Sequence, residues 1–234
     1  MLAAGSVKQA PKRYRSPMPV APLAGLELWY ETLGEPDDPP LLLVMGLGAQ
    51  AIAWPDEFCQ GLVDRGFRVI RFDNRDVGLS TKFVGEINVM ALARAAAAGK
   101  PVEAPYTLSD MARDAVGLLD HLEIEAAHVV GASMGGMIAQ QLAIDHSSRV
   151  LTLTSIMSST GQPDVGQPAP ETLPLLVAPP PTNRDEAAER AEALSALIGS
   201  PEHRDPDRVR QAALAQFDRC FLPAGVVRQL AAVL

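Results

Sequence analysis

One stretch, residues 128–138 (HVVGASMGGMI), limits what this chain can fold into more than any other. Residues 127–130 are apolar and strand-like. Gly131-Ala132-Ser133-Met134-Gly135 follows, and a helix starting near Met134 carries Ile138, Leu142 and Ala143. A Gly-x-Ser-x-Gly pattern between a strand and a helix is a nucleophile elbow. So sharp a turn brings neighbouring backbone close to positions 131 and 135, where a Cβ would collide. The helix N-terminus then turns free N–H groups toward any negative charge that develops beside Ser133. The plainer reading is a small-residue turn in an ordinary strand–helix unit, with Ser133 as a helix cap.

Strand and helix patterns alternate around the elbow. Residues 26–30 have strand composition, and residues 34–40 (GEPDDPP) form a turn. Residues 41–45 (LLLVM) are a continuous apolar run, as in a strand buried on both faces. That run ends in Gly46-Leu47-Gly48, a second tight glycine loop. A helix is expected over residues 56–65, with Phe58, Leu62 and Val63 on one face and Gly66 as its stop. Residues 67–72 read as the next buried strand, which ends in the polar loop DNRDVGLS at 73–80. Residues 81–106 look like an insertion with a short Ala-rich helix near 88–98. Thr107 and Asp110 make a capping-box pattern opening a helix that bears Met111, Ala115, Leu118, Leu119 and Leu122. Residues 149–157 (RVLTLTSIM) are the strand after the elbow helix.

This alternation predicts an α/β fold with a doubly wound, mostly parallel sheet over residues 20–157. Sites in such sheets gather at the carboxyl ends of strands. The 46–48 loop, the 73–80 loop and Ser133 all lie at such ends and should converge. Residues 1–19 read as a mobile, Pro-rich, basic lead-in. Residues 158–234 read as a helical segment. It has a helix over 184–198 striped by Ala187, Ala191, Leu194 and Ile198, and a second starting at Pro206. A last amphipathic turn covers 226–234.

With 47% hydrophobic and 21% charged residues, a large core is expected and global disorder is excluded. A net charge of −8 argues against nucleic acid or an anionic membrane as the main partner. Cys59 and Cys220 show no metal-ligand spacing and read as buried or half-buried free thiols. Nothing implies a metal or an organic cofactor. Without an apolar run of signal-peptide or membrane-spanning length, the expected location is cytoplasmic.

Taken together, these residues resemble the α/β-hydrolase superfamily over roughly residues 20–160, with 158–234 resembling the helical cap that many members insert. MGLG at 45–48, WPDEF at 54–58 and VIRFDNRDVGLS at 69–80 are similar to esterases of the aclacinomycin methylesterase type. Two departures stand out. Met45 replaces the usual His of His-Gly-x-Gly, and Asp76 replaces a glycine of the DxRGxGxS loop. Asp73 and Arg75 are read as organising that loop rather than as catalytic. The resemblance implies that Ser133 attacks an acyl carbonyl while the backbone N–H groups of Leu47 and Met134 bind the oxyanion. Trp54 would either line an acyl pocket or anchor a helix start in the core.

The family's order of Ser, then Asp or Glu, then His is not completed, and the strands that usually precede the acid and the His are not found. Of the four histidines, His128 lies on the elbow strand, ~16 Å below Ser133. His121 is lower still, and His146 is ~18 Å along the elbow helix. His203 alone could approach Ser133; Asp164 lies after the sixth strand, where some members of the family place the acid, but without a His it has nothing to orient. Three accounts stay open: a longer parent enzyme, an inactive fragment, or a partner chain that supplies the rest. In each, the strand from Arg149 to Met157 is an apolar edge that invites self-association. The expected function is a serine hydrolase of small hydrophobic carboxylic esters, weak or inactive as this chain alone. A cofactor-free haloperoxidase-like enzyme and a non-catalytic module on the same scaffold also remain open.

Overall fold

The computed structural model describes residues 19–85, 87–98, 100, 102–162, 165–166, 169–176 and 178–234. The lead-in up to residue 18 and the candidate acid Asp164 lie outside the described residues. Among the described residues one sheet has six strands: β1 (Val20–Leu23), β2 (Leu26–Leu33), β3 (Pro40–Val44), β4 (Arg68–Phe72), β5 (Ala127–Ala132) and β6 (Val150–Ile156). Their spatial order is β1-β2-β4-β3-β5-β6. The four strands from β3 to β6 pair in parallel, as the alternating pattern predicts, whereas β1–β2 and β2–β4 are antiparallel. The sequence reading began the strands at Leu26 and did not anticipate β1. Its Pro22 disguises it, yet proline is tolerated in an edge strand, where the missing N–H faces away from the ladder.

The main core lies between the sheet and the helices α3 (Leu108–His121) and α4 (Met134–Asp145). Leu42, Val44, Ile70 and Val129 project from the sheet onto Met111, Ala115, Leu118, Ile138 and Leu142, all buried. α3 starts where the capping box predicts. The Thr107 side chain accepts from Asp110 N–H, and the Asp110 carboxylate accepts from Thr107 N–H. On the opposite face α1 (Asp56–Val63) covers a smaller cluster of Leu41, Leu43, Trp54, Cys59 and Val69. Leu62 and Val63 pack on this cluster as expected, but Cys59 is the fully buried residue and Phe58 is 42% exposed. Phe58 stacks on the Trp54 ring instead, with centroids 5.4 Å apart.

The Ala-rich helix α2 (Val89–Ala97) and the four-residue α5 (Leu173–Leu176) are short. α6 (Arg184–Ile198) and α7 (Pro206–Arg219) begin at side-chain caps, Asn183 and Asp205. The expected stripe on α6 is corrected at one end. Ala188 is the buried residue and Ile198 is 44% exposed. α8 (Pro223–Val233) is not confined to the surface, since Ala232 and Val233 pack on the main core. Among the described residues no helix is long and apolar enough to cross a membrane.

β6 stands apart. Among the described residues it pairs only with β5, and its residues 151–155 are all exposed, as expected of an edge strand.

Candidate active site

β5 ends at Ala132 and α4 begins at Met134, so Ser133 alone makes the turn between them. Its backbone has φ 55° and ψ −123°, a region that non-glycine residues rarely adopt. Several contacts hold it there. Ser133 N–H donates to Ile156 O at 2.9 Å, and Ser133 O accepts from Gly136 N–H at 2.9 Å. A Cβ at Gly131 would collide with the Gly135 carbonyl, and one at Gly135 with the Val44 carbonyl. The sequence reading assigned both glycines to this close approach. Ser133 is exposed at the top of the sheet.

The glycine loop after β3 lies directly against it. A Cβ on Gly46 would stand 3.0 Å from the Ser133 Cβ. Ser133, Leu47 and Met134 are therefore brought to one place. Met134 is the first residue of α4, and its N–H is one of the donors a helix leaves unpaired. Among the described residues no turn, loop or cap hydrogen bond uses the N–H of Leu47 or of Met134. Both N–H groups are thus candidates to donate to an acceptor outside the backbone ladder.

Loop 73–80 is almost wholly buried and tightly bonded. Asp73 accepts from Ala51 N–H and Leu79 N–H, each at 2.8 Å, and pairs with Arg219 at 2.7 Å. Asn74 Nδ2 donates to Met45 O at 2.9 Å, so the loop after β3 is braced although position 45 has no polar side chain. Arg75 forks onto Asp114 at 2.6 and 2.7 Å. Burial pushes the Asp114 carboxyl up, and the Arg75 guanidinium opposes this. Asp73 and Arg75 thus hold loops together.

Asp76 has φ 69°, which explains why a glycine would be easier there. Its carboxylate gives the reason for the departure. It accepts from Arg228 Nε and Nη2, each at 2.8 Å, from Tyr106 OH at 2.7 Å and from Phe83 N–H at 2.7 Å. Both members of the Asp76–Arg228 pair are buried. The hydrogen bond to Asp76 raises the Arg228 pKa against the cost of burial. Burial, then the bond to Asp76, pushes the Tyr106 phenol far above its ordinary value.

The helical segment therefore reaches the site through residues the sequence did not single out. Gln50 N–H donates to Gln216 Oε1 at 3.0 Å, and Gln50 Nε2 donates to Gln216 O at 2.6 Å. Gln229 bonds both strand-end loops. In the run VVRQLAAVL, Arg228 and Gln229 look like the solvent side of an amphipathic turn, so no local signal marks them.

The histidines are engaged elsewhere or lie in the open. His128 Nδ1 meets Thr152 Oγ1 at 2.8 Å, and His121 Nε2 meets Tyr30 OH at 3.3 Å. His146 ends α4, and His203 is exposed in a 3-10 turn between α6 and α7. Among the described residues no hydrogen bond joins a histidine to Ser133. Trp54 belongs to the core cluster under α1 rather than to a cavity wall. Among the described residues no group of three or more His, Cys, Asp or Glu is placed to hold a metal ion.

A cavity of about 280 Å³ opens from Leu47 and Gly48 toward the helical segment. Its walls are mainly apolar, including Ala191, Leu194, Phe217, Leu222 and Val226. Ser133 is not part of the wall. Leu47, next to the Gly46 that abuts Ser133, is in the wall, so the cavity lies near the serine without including it.

Three comparisons bear on this arrangement. A family model described as the alpha/beta hydrolase fold matches residues 39–224. The rhodomycin D methylesterase DnrP of Streptomyces peucetius is 34% identical over 207 residues, which cover 80% of this chain. The chain spans 64% of that methylesterase's length. Among solved structures, a hydrolase from Pseudomonas aeruginosa PA01 superposes with a TM-score of 0.60 at 25% identity, covering 91% of this chain and 70% of that one. The 2-hydroxy-6-oxo-6-phenylhexa-2,4-dienoate hydrolase of Rhodococcus sp. strain RHA1 superposes with a TM-score of 0.65 at 20% identity, covering 92% and 69%.

Proposed function

The chain belongs to the α/β-hydrolase fold family, and from that premise we propose that it is a serine hydrolase of carboxylic esters with Ser133 as nucleophile. The observation that carries this reading is the Ser133 backbone at φ 55°, which presents the hydroxyl beside two unpaired N–H groups. Similarity to a methylesterase supports an ester as the substrate.

In this reading Ser133 Oγ attacks the ester carbonyl carbon and gives up its proton to a base. The carbonyl oxygen becomes an oxyanion held by Leu47 N–H and Met134 N–H. Collapse expels the alcohol and leaves an acyl-serine, which water cleaves by the same steps in reverse roles. The α4 N-terminus adds favourable potential at the oxyanion. The apolar cavity beside Leu47 suits a small hydrophobic substituent of the ester.

No histidine of the chain is bonded to Ser133 among the described residues. We therefore propose that these 234 residues on their own are a weak catalyst. A serine with no bonded base attacks slowly, so the serine-dependent rate should fall far below that of a complete Ser–His–acid site. The same observation favours a second reading, a non-catalytic module on this scaffold. Hydrolysis of p-nitrophenyl acetate and butyrate separates the two. The proposal expects a slow rate above background that disappears in Ser133→Ala. A rate unchanged by that substitution contradicts it.

A further inference from the structure

Gln229 is fully buried on α8, and its amide is used at both ends. Oε1 accepts from Gly48 N–H at 2.8 Å, and Nε2 donates to Arg75 O at 2.8 Å. One side chain thus ties together the loop after β3 and the loop after β4. Its orientation is fixed from the neighbouring position, where Arg228 forks onto Asp76. α8 itself is seated closely. A Cβ on Gly225 would collide with the Asp76 carbonyl, and Val226 packs where a Cβ on Gly48 would sit.

The consequence falls on Leu47. The peptide that carries Leu47 N–H lies between two peptides held by side chains. The preceding one offers Met45 O to Asn74 Nδ2 at 2.9 Å. The following one gives Gly48 N–H to Gln229. With both neighbours fixed, the plane between them has little freedom to rotate. The middle peptide also has one backbone bond of its own, Ala49 N–H to Gly46 O at 3.2 Å; Gly48 has φ 68°, so that single bond leaves the turn conformations open to glycine that the Gln229 bond closes off.

We propose that Gln229 is a positioning residue for the oxyanion site: it clamps the peptide after Leu47 and so keeps the Leu47 N–H aimed at the space beside Ser133. The inference rests on the reading of Leu47 as an oxyanion donor. It also explains how the loop keeps its shape with methionine at position 45.

The test uses the full chain and variants at Gln229. Gln229→Leu removes both bonds, and Gln229→Glu keeps an acceptor for Gly48 N–H while losing the donor to Arg75 O. Amide hydrogen exchange by NMR reads the clamp without any chemistry. In Gln229→Leu, Gly48 N–H should exchange about tenfold faster or more, while Leu42 and Val129 in the strands stay protected. Gln229→Glu should retain most of the Gly48 protection, and if the leucine variant does not fold, Gln229→Asn, one methylene too short to reach Gly48 N–H, should lose it; unchanged protection there overturns the proposal. A fluorophosphonate reads the site. Its maximal labelling rate at Ser133 should fall about tenfold or more in Gln229→Leu, with the half-saturating concentration unchanged, and should recover in part in Gln229→Glu. Gly48 protection and labelling equal to the parent in a folded Gln229→Leu overturn the proposal. A parent chain that never labels sinks the hydrolase reading instead, and Gly48 exchange still decides whether Gln229 holds the loop.

Discussion

The two flanks of Ser133 are built in opposite ways. On the side of β3 and β4, buried side chains lock the strand-end loops to α7 and α8. Asp73, Asp76, Gln50 and Gln229 each make two or more hydrogen bonds there. On the other side is β6, an edge strand with one neighbour and Leu151 and Leu153 exposed at 54% and 40%. Yet β6 also serves the site, because Ile156 O accepts the Ser133 N–H. The serine lies between a tightly bonded wall and an edge strand whose two ends, Val150 and Ile156, pack on the core while residues 151–155 are exposed. Pre-organisation in this molecule is therefore one-sided. The loops on one side are fixed by side chains, while the strand that accepts the Ser133 N–H has an unpaired edge among the described residues.

The largest test of that contrast is the Asp76–Arg228 pair. Asp76→Asn leaves a buried guanidinium without its counterion. The expected cost is about 3–5 kcal/mol, on the order of 10 °C in Tm for a chain of this size. A thermal melt that moves by no more than a degree or two would show that the wall is not what holds α8. On the other flank, Leu153→Lys places a charge on the bare edge. It should cost far less than Asp76→Asn, about 1 kcal/mol or less, since Leu153 is 40% exposed and outside the core clusters. It should also shift the sedimentation profile toward monomer, because the uncharged edge of the parent favours strand-to-strand association. A parent chain that sediments as a single monomer contradicts this half of the comparison.

Acid should act on the wall's outer support in a definite direction. Burial pushes the Asp110 carboxyl up, but hydrogen bonds from Thr107 N–H and hydroxyl outweigh it and hold it below its usual range. Its contribution is therefore present above the usual carboxylate pKa of about 3.9 and is lost as pH falls through the depressed value. Asp110→Asn should flatten the fall of Tm with acid below about pH 4 by a small amount, and an unchanged acid slope argues against the cap. The smallest effect is at the thiols. Burial pushes the Cys59 thiol up against the opposing charge of Arg71. Native protein should thus be modified at the half-buried Cys220 well before Cys59, as peptide mapping after brief alkylation would show.

What the sequence disclosed and what it hid follow from distance along the chain. The elbow is readable because its glycines answer to steric contacts within a few residues. The Thr107–Asp110 cap and the starts of α6 and α7 are readable for the same local reason. The bonds that tie α8 to the 46–48 and 73–80 loops are not, since Gln229 and Gly48 are separated by 181 positions and Arg228 and Asp76 by 152. Asp76 could be seen as a departure from a glycine, but its partner could not be named. Phe58 was misplaced because α1 is only eight residues long, too short for a stripe to decide which side chain enters the core. Its ring instead answers to Trp54, outside the helix.

The central claim is that Ser133 is a poised nucleophile, and the most direct test is the intact mass of the folded chain after exposure to a fluorophosphonate, with Ser133→Ala as control. The account predicts one adduct, formed slowly and absent from the control. A folded chain that gains no mass, or gains the same mass in the control, would contradict it.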